Sequence, residues 1–159
     1  MTIAAATSAK SHWRFPGWRV LALAFAVGAL LALGEIAILL LRLHGSLPQG
    51  GRPDGAGIAA FVAALLVLVP LEEWVFRGVV LQRLIRLMGA VAALLLSSAV
   101  FALGHCWTHP TFIQFLSHFV GGLILGAFYL WTGSLWPSIA LHFAHNATDF
   151  AGMYLLTSN

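Results

Sequence analysis

The chain has 159 residues, 60% of them hydrophobic and only 8% charged, with a formal net charge of +3. Soluble domains average about 25% charged residues, so this chain has too few charges to solvate a surface in water. Its eight basic residues flank apolar runs, which reads as a topology signal and not as a surface for nucleic acid.

From residue 87 through residue 148 there is no Lys, Arg, Asp or Glu. Lipid accounts for such a stretch. At about 20 residues per spanning helix, the chain is expected to be an all-α polytopic membrane bundle of about five transmembrane helices. Only helices and closed barrels satisfy backbone groups in lipid, and the apolar runs are too long for barrel strands. Cys106 is the only cysteine, so no disulfide can form within the chain.

Residues 1–16 read as a basic cytoplasmic tail carrying Lys10 and Arg14. Residues 17–159 read as a single transmembrane domain. The apolar run after the tail is too long for the core of a signal peptide and lacks a convincing cleavage site, so a retained span is expected over 17–41. Arg19 and Glu35 are its only interruptions. Residues 42–56 are rich in Gly and Pro and read as a loop. A long helical segment follows over 57–86, apolar in its first half and carrying Glu72, Glu73, Arg77, Arg83 and Arg86 in its second. After a break at Met88–Gly89, spans are expected over 89–107, 112–132 and 135–156, with a short turn around Pro110 between the first two. Pro137 falls in the first turn of the last span, where proline is tolerated. Six of the eight basic residues lie on the side of the N-terminus if that end is cytoplasmic, which favours N-in and C-out.

Ionisable residues within spans are costly and default to function. Three clusters stand out. In Glu72-Glu73-Trp74-Val75-Phe76-Arg77, adjacent side chains point about 100° apart. Glu73 and Arg77 are four apart in the favourable order for an ion pair. The expected division is a structural Glu73–Arg77 pair and a working carboxylate at Glu72, against the reading that all three form a snorkelling interfacial cluster. The second cluster is Phe101-Ala102-Leu103-Gly104-His105, with Phe101 and His105 on one face. The third is His142-Phe143-Ala144-His145-Asn146, with His142 and Asn146 on one face and His145 and Asp149 on another. Plain interhelical hydrogen bonding is the alternative for these last two. Gly122-x-x-x-Gly126 suggests close helix packing, within the chain or between copies, so a homo-oligomer is left open. Glu35 is expected to pair with a polar group on a neighbouring helix.

Depth links the first two clusters. At 1.5 Å per residue, Glu72 lies ~21 Å along its helix from Arg86 and His105 lies ~24 Å from Gly89. A carboxylate and an imidazole at one depth can hold and deprotonate water. A nearby histidine and asparagine can donate hydrogen bonds to an oxyanion. A zinc site using His105, His142 and a glutamate stays open on spacing alone, although no H-E-x-x-H motif occurs.

Taken together, the three clusters resemble the CPBP family of intramembrane endopeptidases (CAAX protease and bacteriocin-processing, also called Abi). The family pattern is E-E-x-x-x-R, F-x-x-x-H and H-x-x-x-N on successive membrane helices. The resemblance covers about residues 57–150. It implies peptide-bond hydrolysis by glutamate-activated water, with no metal or other cofactor. Glu72 and His105 would activate the water, and His142 and Asn146 would form the oxyanion site. Glu73, Arg77 and Phe101 would support them. The implied partners are the lipid bilayer and a membrane-embedded or membrane-anchored protein or peptide, with no nucleic acid. The chain is short for the family, which suits substrates that enter between helices, such as C-terminal sorting or anchor segments. The expected location is a bacterial inner membrane.

Overall fold

The computed structural model describes residues 12–42, 52–106 and 111–157. The expectations for most of the basic tail (1–11), most of the Gly/Pro loop (43–51) and the turn at Pro110 lie outside the described residues.

Among the described residues there are five helices and no strand: α1 (Trp18–Arg42), α2 (Gly55–Met88), α3 (Ala90–His105), α4 (Phe112–Thr132) and α5 (Leu135–Leu156). Their ends follow local chemistry. Gly89, at φ 80, separates α2 from α3, a backbone conformation that costs glycine nothing. Gly133, at φ 67, caps the end of α4 in the left-handed region. The Thr111 hydroxyl accepts from the Gln114 N–H at 3.1 Å, capping the start of α4.

Three of the helices, α1, α2 and α4, are long and apolar enough to cross a membrane. The other two fall short for different reasons. α3 is apolar but has only 16 residues, a length of ~24 Å against a hydrocarbon core of about 30 Å. α5 is long enough at 22 residues, but His142, His145, Asn146 and Asp149 lower its hydropathy.

The middle of α2 departs from α-geometry. Pro70 lies inside the helix and has no N–H to donate. From Trp74 to Leu81 the backbone is π-helical, with hydrogen bonds reaching five residues instead of four. This wider turn begins immediately after the two glutamates.

The chain forms two compact units, with boundaries inside α2 and α5. The first holds residues 12–17 and 71–138. Its packing relies on glycine: a Cβ at Gly122 would lie 3.1 Å from Ser98 Cα, and one at Gly126 would collide with Leu94. The Gly122/Gly126 face of α4 is therefore used within the chain, against α3. The segment before α1 is tied to the α4–α5 turn. The Leu135 N–H donates to the His12 carbonyl at 2.8 Å, the Ser134 hydroxyl to the Arg14 carbonyl at 2.6 Å, and the Trp136 indole to the Trp13 carbonyl at 3.0 Å. The Tyr129 hydroxyl meets His12 Nδ1 at 2.7 Å. Trp13 and Trp136 pack edge to face at 5.8 Å.

The second unit holds residues 18–42, 52–70 and 139–157. Its α1 buries a stripe of Ala24, Gly28, Ala32 and Ile36, each four residues on from the last. Small residues at this spacing let helix backbones approach closely. A Cβ at Gly28 would run into the carbonyl oxygen of Leu141, and one at Gly152 into Ile36. Phe61 stacks on Phe150 at 3.9 Å, and Arg52 Nε donates to the Thr157 carbonyl at 3.0 Å. Gly28→Ala therefore pushes backbone against backbone, with no flexible side chain to yield. It is expected to destabilise the protein by about 1–3 kcal/mol, read as an earlier unfolding midpoint in detergent, whereas Gly34→Ala, which meets nothing within 4 Å, leaves the midpoint in place.

Candidate active site

The two adjacent glutamates of α2 have different surroundings. Glu73 is fully buried and Arg77 is 3% exposed. Arg77 donates from Nη1 to Glu73 Oε1 at 3.0 Å and from Nη2 to the Gly122 carbonyl at 3.3 Å. The π-turn favours the first bond, since more than four residues per turn bring positions four apart closer to eclipse. The second bond ties α2 to α4. Arg77 also lies over the Phe101 ring at 4.5 Å, a cation–π contact strengthened by burial.

Phe101 links this pair to the histidine of α3. Its buried ring meets Phe76 edge-on at 5.1 Å and the His105 ring at 4.3 Å. His105 Nδ1 donates to the Phe101 carbonyl at 2.8 Å. In the neutral ring that leaves the Nε2 lone pair pointing away from its own helix. Nε2 lies 3.9 Å from Glu72 Oε2, and both side chains are about one-third exposed or less, at 27% and 33%. This separation is too long for a direct hydrogen bond. A water beside the line between the two atoms would reach both, and each would accept one of its protons. The spacing-based expectation that Glu72 and His105 lie at one depth thus corresponds to a contact within the first unit.

One residue of this cluster escaped the sequence reading. His118 of α4 stacks on His105, with ring centroids 4.9 Å apart and an interplanar angle of 28°. Its Nδ1 lies 2.8 Å from the Gln114 carbonyl, repeating the way His105 is held. The available signal was a histidine four residues before Gly122, on the face of α4 that packs in the chain.

The remaining two expected residues belong to the second unit. His142 is buried on α5 and Asn146 is half-buried one turn later. Asn146 Oδ1 lies 3.3 Å from His145 Nδ1, and His145 Nε2 lies 3.3 Å from Glu35 Oε2 of α1. His145 is therefore a polar partner of Glu35 on a neighbouring helix. Among the described residues, no three His, Cys, Asp or Glu side chains are grouped so as to hold a metal ion.

A family model described as type II CAAX prenyl endopeptidase Rce1-like matches residues 54–148. The chain belongs to this family. No curated protein and no solved structure matches it. Membership in the Rce1-like family, part of the CPBP group, establishes at family level an intramembrane endopeptidase of the CAAX-protease type. Together with three helices able to cross a bilayer, it makes the chain an integral membrane protein. The Rce1-like match spans Glu72, His105, His118, His142 and Asn146. Glu35 lies outside it.

Proposed function

We propose that this Rce1-like protein is a glutamic endopeptidase that cleaves a peptide bond near the C-terminal anchor of a membrane protein or peptide. The observation that carries this reading is the 3.9 Å approach of Glu72 Oε2 to His105 Nε2, with the other ring nitrogen committed to the Phe101 carbonyl. Two acceptors side by side take hold of both protons of one water and turn its lone pair toward the substrate. Glu72 removes one proton as the water oxygen bonds to the carbonyl carbon. The carbonyl electron pair moves onto its oxygen, where hydrogen bonds from His142 and Asn146 stabilise the charge. Collapse of this intermediate breaks the C–N bond, and the departing amine takes the proton held by Glu72. Glu73, Arg77 and Phe101 hold Glu72 and His105 in place.

The protease domain occupies residues 17–159, with an N-terminus in the cytoplasm of a bacterial cell. Glu72 stands ~21 Å along α2 from Arg86, which supports chemistry nearer the opposite face. That depth suits a helical anchor or sorting segment better than a prenylated tail presented from the cytoplasm.

The test is cleavage by the purified protein in liposomes of two anchored peptides, one prenylated at a C-terminal CAAX sequence and one carrying a transmembrane anchor. Each is assayed in ¹⁸O-labelled water, with and without a strong chelator. Expected is chelator-resistant cleavage of the second peptide with one ¹⁸O in the new carboxylate. Loss of cleavage on chelation would replace the glutamate-activated water by a metal-bound one. Preference for the prenylated peptide would move the substrate to the cytoplasmic face. Failure on both peptides would favour a non-catalytic membrane protein of the same fold.

A further inference from the structure

We infer that Glu35 and His145 form a positioning relay that orients the Asn146 amide for the oxyanion. The inference rests on the oxyanion role proposed for Asn146 and extends the working residues to α1, outside the segment that the family model matches.

The relay is built by packing. Gly28 brings α1 against the Leu141 carbonyl and the His145 backbone nitrogen of α5. Glu35 lies two helical turns beyond Gly28, so it emerges beside the same stretch of α5. There its Oε2 meets His145 Nε2 at 3.3 Å, and His145 Nδ1 meets Asn146 Oδ1 at 3.3 Å. The chemistry then follows from donor and acceptor counting. Because Oδ1 can only accept, Nδ1 carries a proton and donates it. A second proton is held between Nε2 and the Glu35 carboxylate. With Oδ1 occupied, the Asn146 amide is fixed in one of its two flips, and its NH₂ group is left as the donor. An oxyanion needs donors only, so the flip matters: the opposite one would present a carbonyl oxygen to negative charge. Asp149, one turn beyond His145, is itself an acceptor when ionised and so does not compete to donate to Oδ1.

A carboxylate on a membrane-spanning helix is also costly unless paired. A structural ion pair would meet that need equally well, so the test must separate the two roles. The measurement is a double-mutant cycle on anchored-peptide cleavage, comparing wild type, Glu35→Gln, Glu35→Ala, Asn146→Ala and the combinations with Asn146→Ala. Asn146→Ala alone should lose about 10²- to 10³-fold in kcat. Glu35→Ala and Glu35→Gln should lower kcat about tenfold with KM unchanged, since they disturb only the orientation of the donor. In the Asn146→Ala background, neither Glu35 substitution should lower activity further. Additive losses in that background, or a wild-type kcat in both Glu35 variants, would overturn the relay and leave the oxyanion role standing. Full activity of Asn146→Ala would overturn the oxyanion role, and the relay with it. Glu35→Gln preserves size but removes the charge that holds the second proton on His145, so it keeps the cycle readable if Glu35→Ala folds poorly.

Discussion

Glu72→Gln is expected to lower cleavage about 10³-fold, equivalent to about 4 kcal/mol of transition-state stabilisation, while leaving the unfolding midpoint unchanged. The amide keeps the size of the carboxylate but cannot take a proton from water. Glu72 is one-third exposed and lies 3.9 Å from His105, and the buried bond to Arg77 is made by Glu73, so losing the Glu72 charge should cost the fold little. The next residue provides the control. Glu73→Gln should weaken the buried bond to Arg77 and lower stability, with activity falling only as far as the folded fraction does. Turnover and detergent unfolding measured side by side on the two variants check the division. Equal loss of turnover per folded molecule in both would place the two carboxylates in one functional unit.

The largest effect on stability should come from Arg77→Met. Removing one member of a buried ion pair costs about 3–5 kcal/mol, because the other charge is left in a medium that cannot solvate it. Here the loss includes the hydrogen bond to the Gly122 carbonyl and the contact over Phe101 as well. The double variant Glu73→Leu with Arg77→Met should regain most of the lost stability, since a buried pair replaced by apolar groups of similar volume is often neutral. Unfolding in mixed detergent micelles, followed by helix content, measures both. If the double variant is no more stable than Arg77→Met alone, the hydrogen bond to α4 and the contact over Phe101 dominate, and the charge of Glu73 does not.

Much of this arrangement was legible in the chain of residues. Gly89 marked the break between α2 and α3 because its conformational preference is local. The Glu73–Arg77 pair was legible because four-residue spacing on a helix decides it. The similar depth of Glu72 and His105 was legible from rise per residue, which fixes depth but not rotation, so their meeting was not. What stayed hidden was rotational. A helix in lipid is apolar on every side, so no polar face reports its direction. The spacing of His118 from Gly122 puts it on the packed face of α4, but nothing in it named His105 as the ring it would meet. For the same reason, Glu35 announced the need for a partner without naming His145. The π-turn in α2 was illegible because it depends on a change of hydrogen-bonding register that Trp74–Leu81 does not display as a residue pattern.

That π-turn makes α2 a shaft with an offset built into it. Residues before it, including Glu72, and residues after it, including Arg83 and Arg86, are set at an angle that a uniform α-helix would not give. Taking one residue out of Trp74–Leu81 while the π-winding persists, or winding all eight residues as an ordinary α-helix, would swing one half against the other. The carboxylate and the basic anchors could not then both keep their bearings. The length of this segment is thus under a constraint that residue-by-residue substitution does not reveal. Chains that share every side chain of the three clusters but differ in the count between Glu73 and Gln82 would differ in how the helix is aimed.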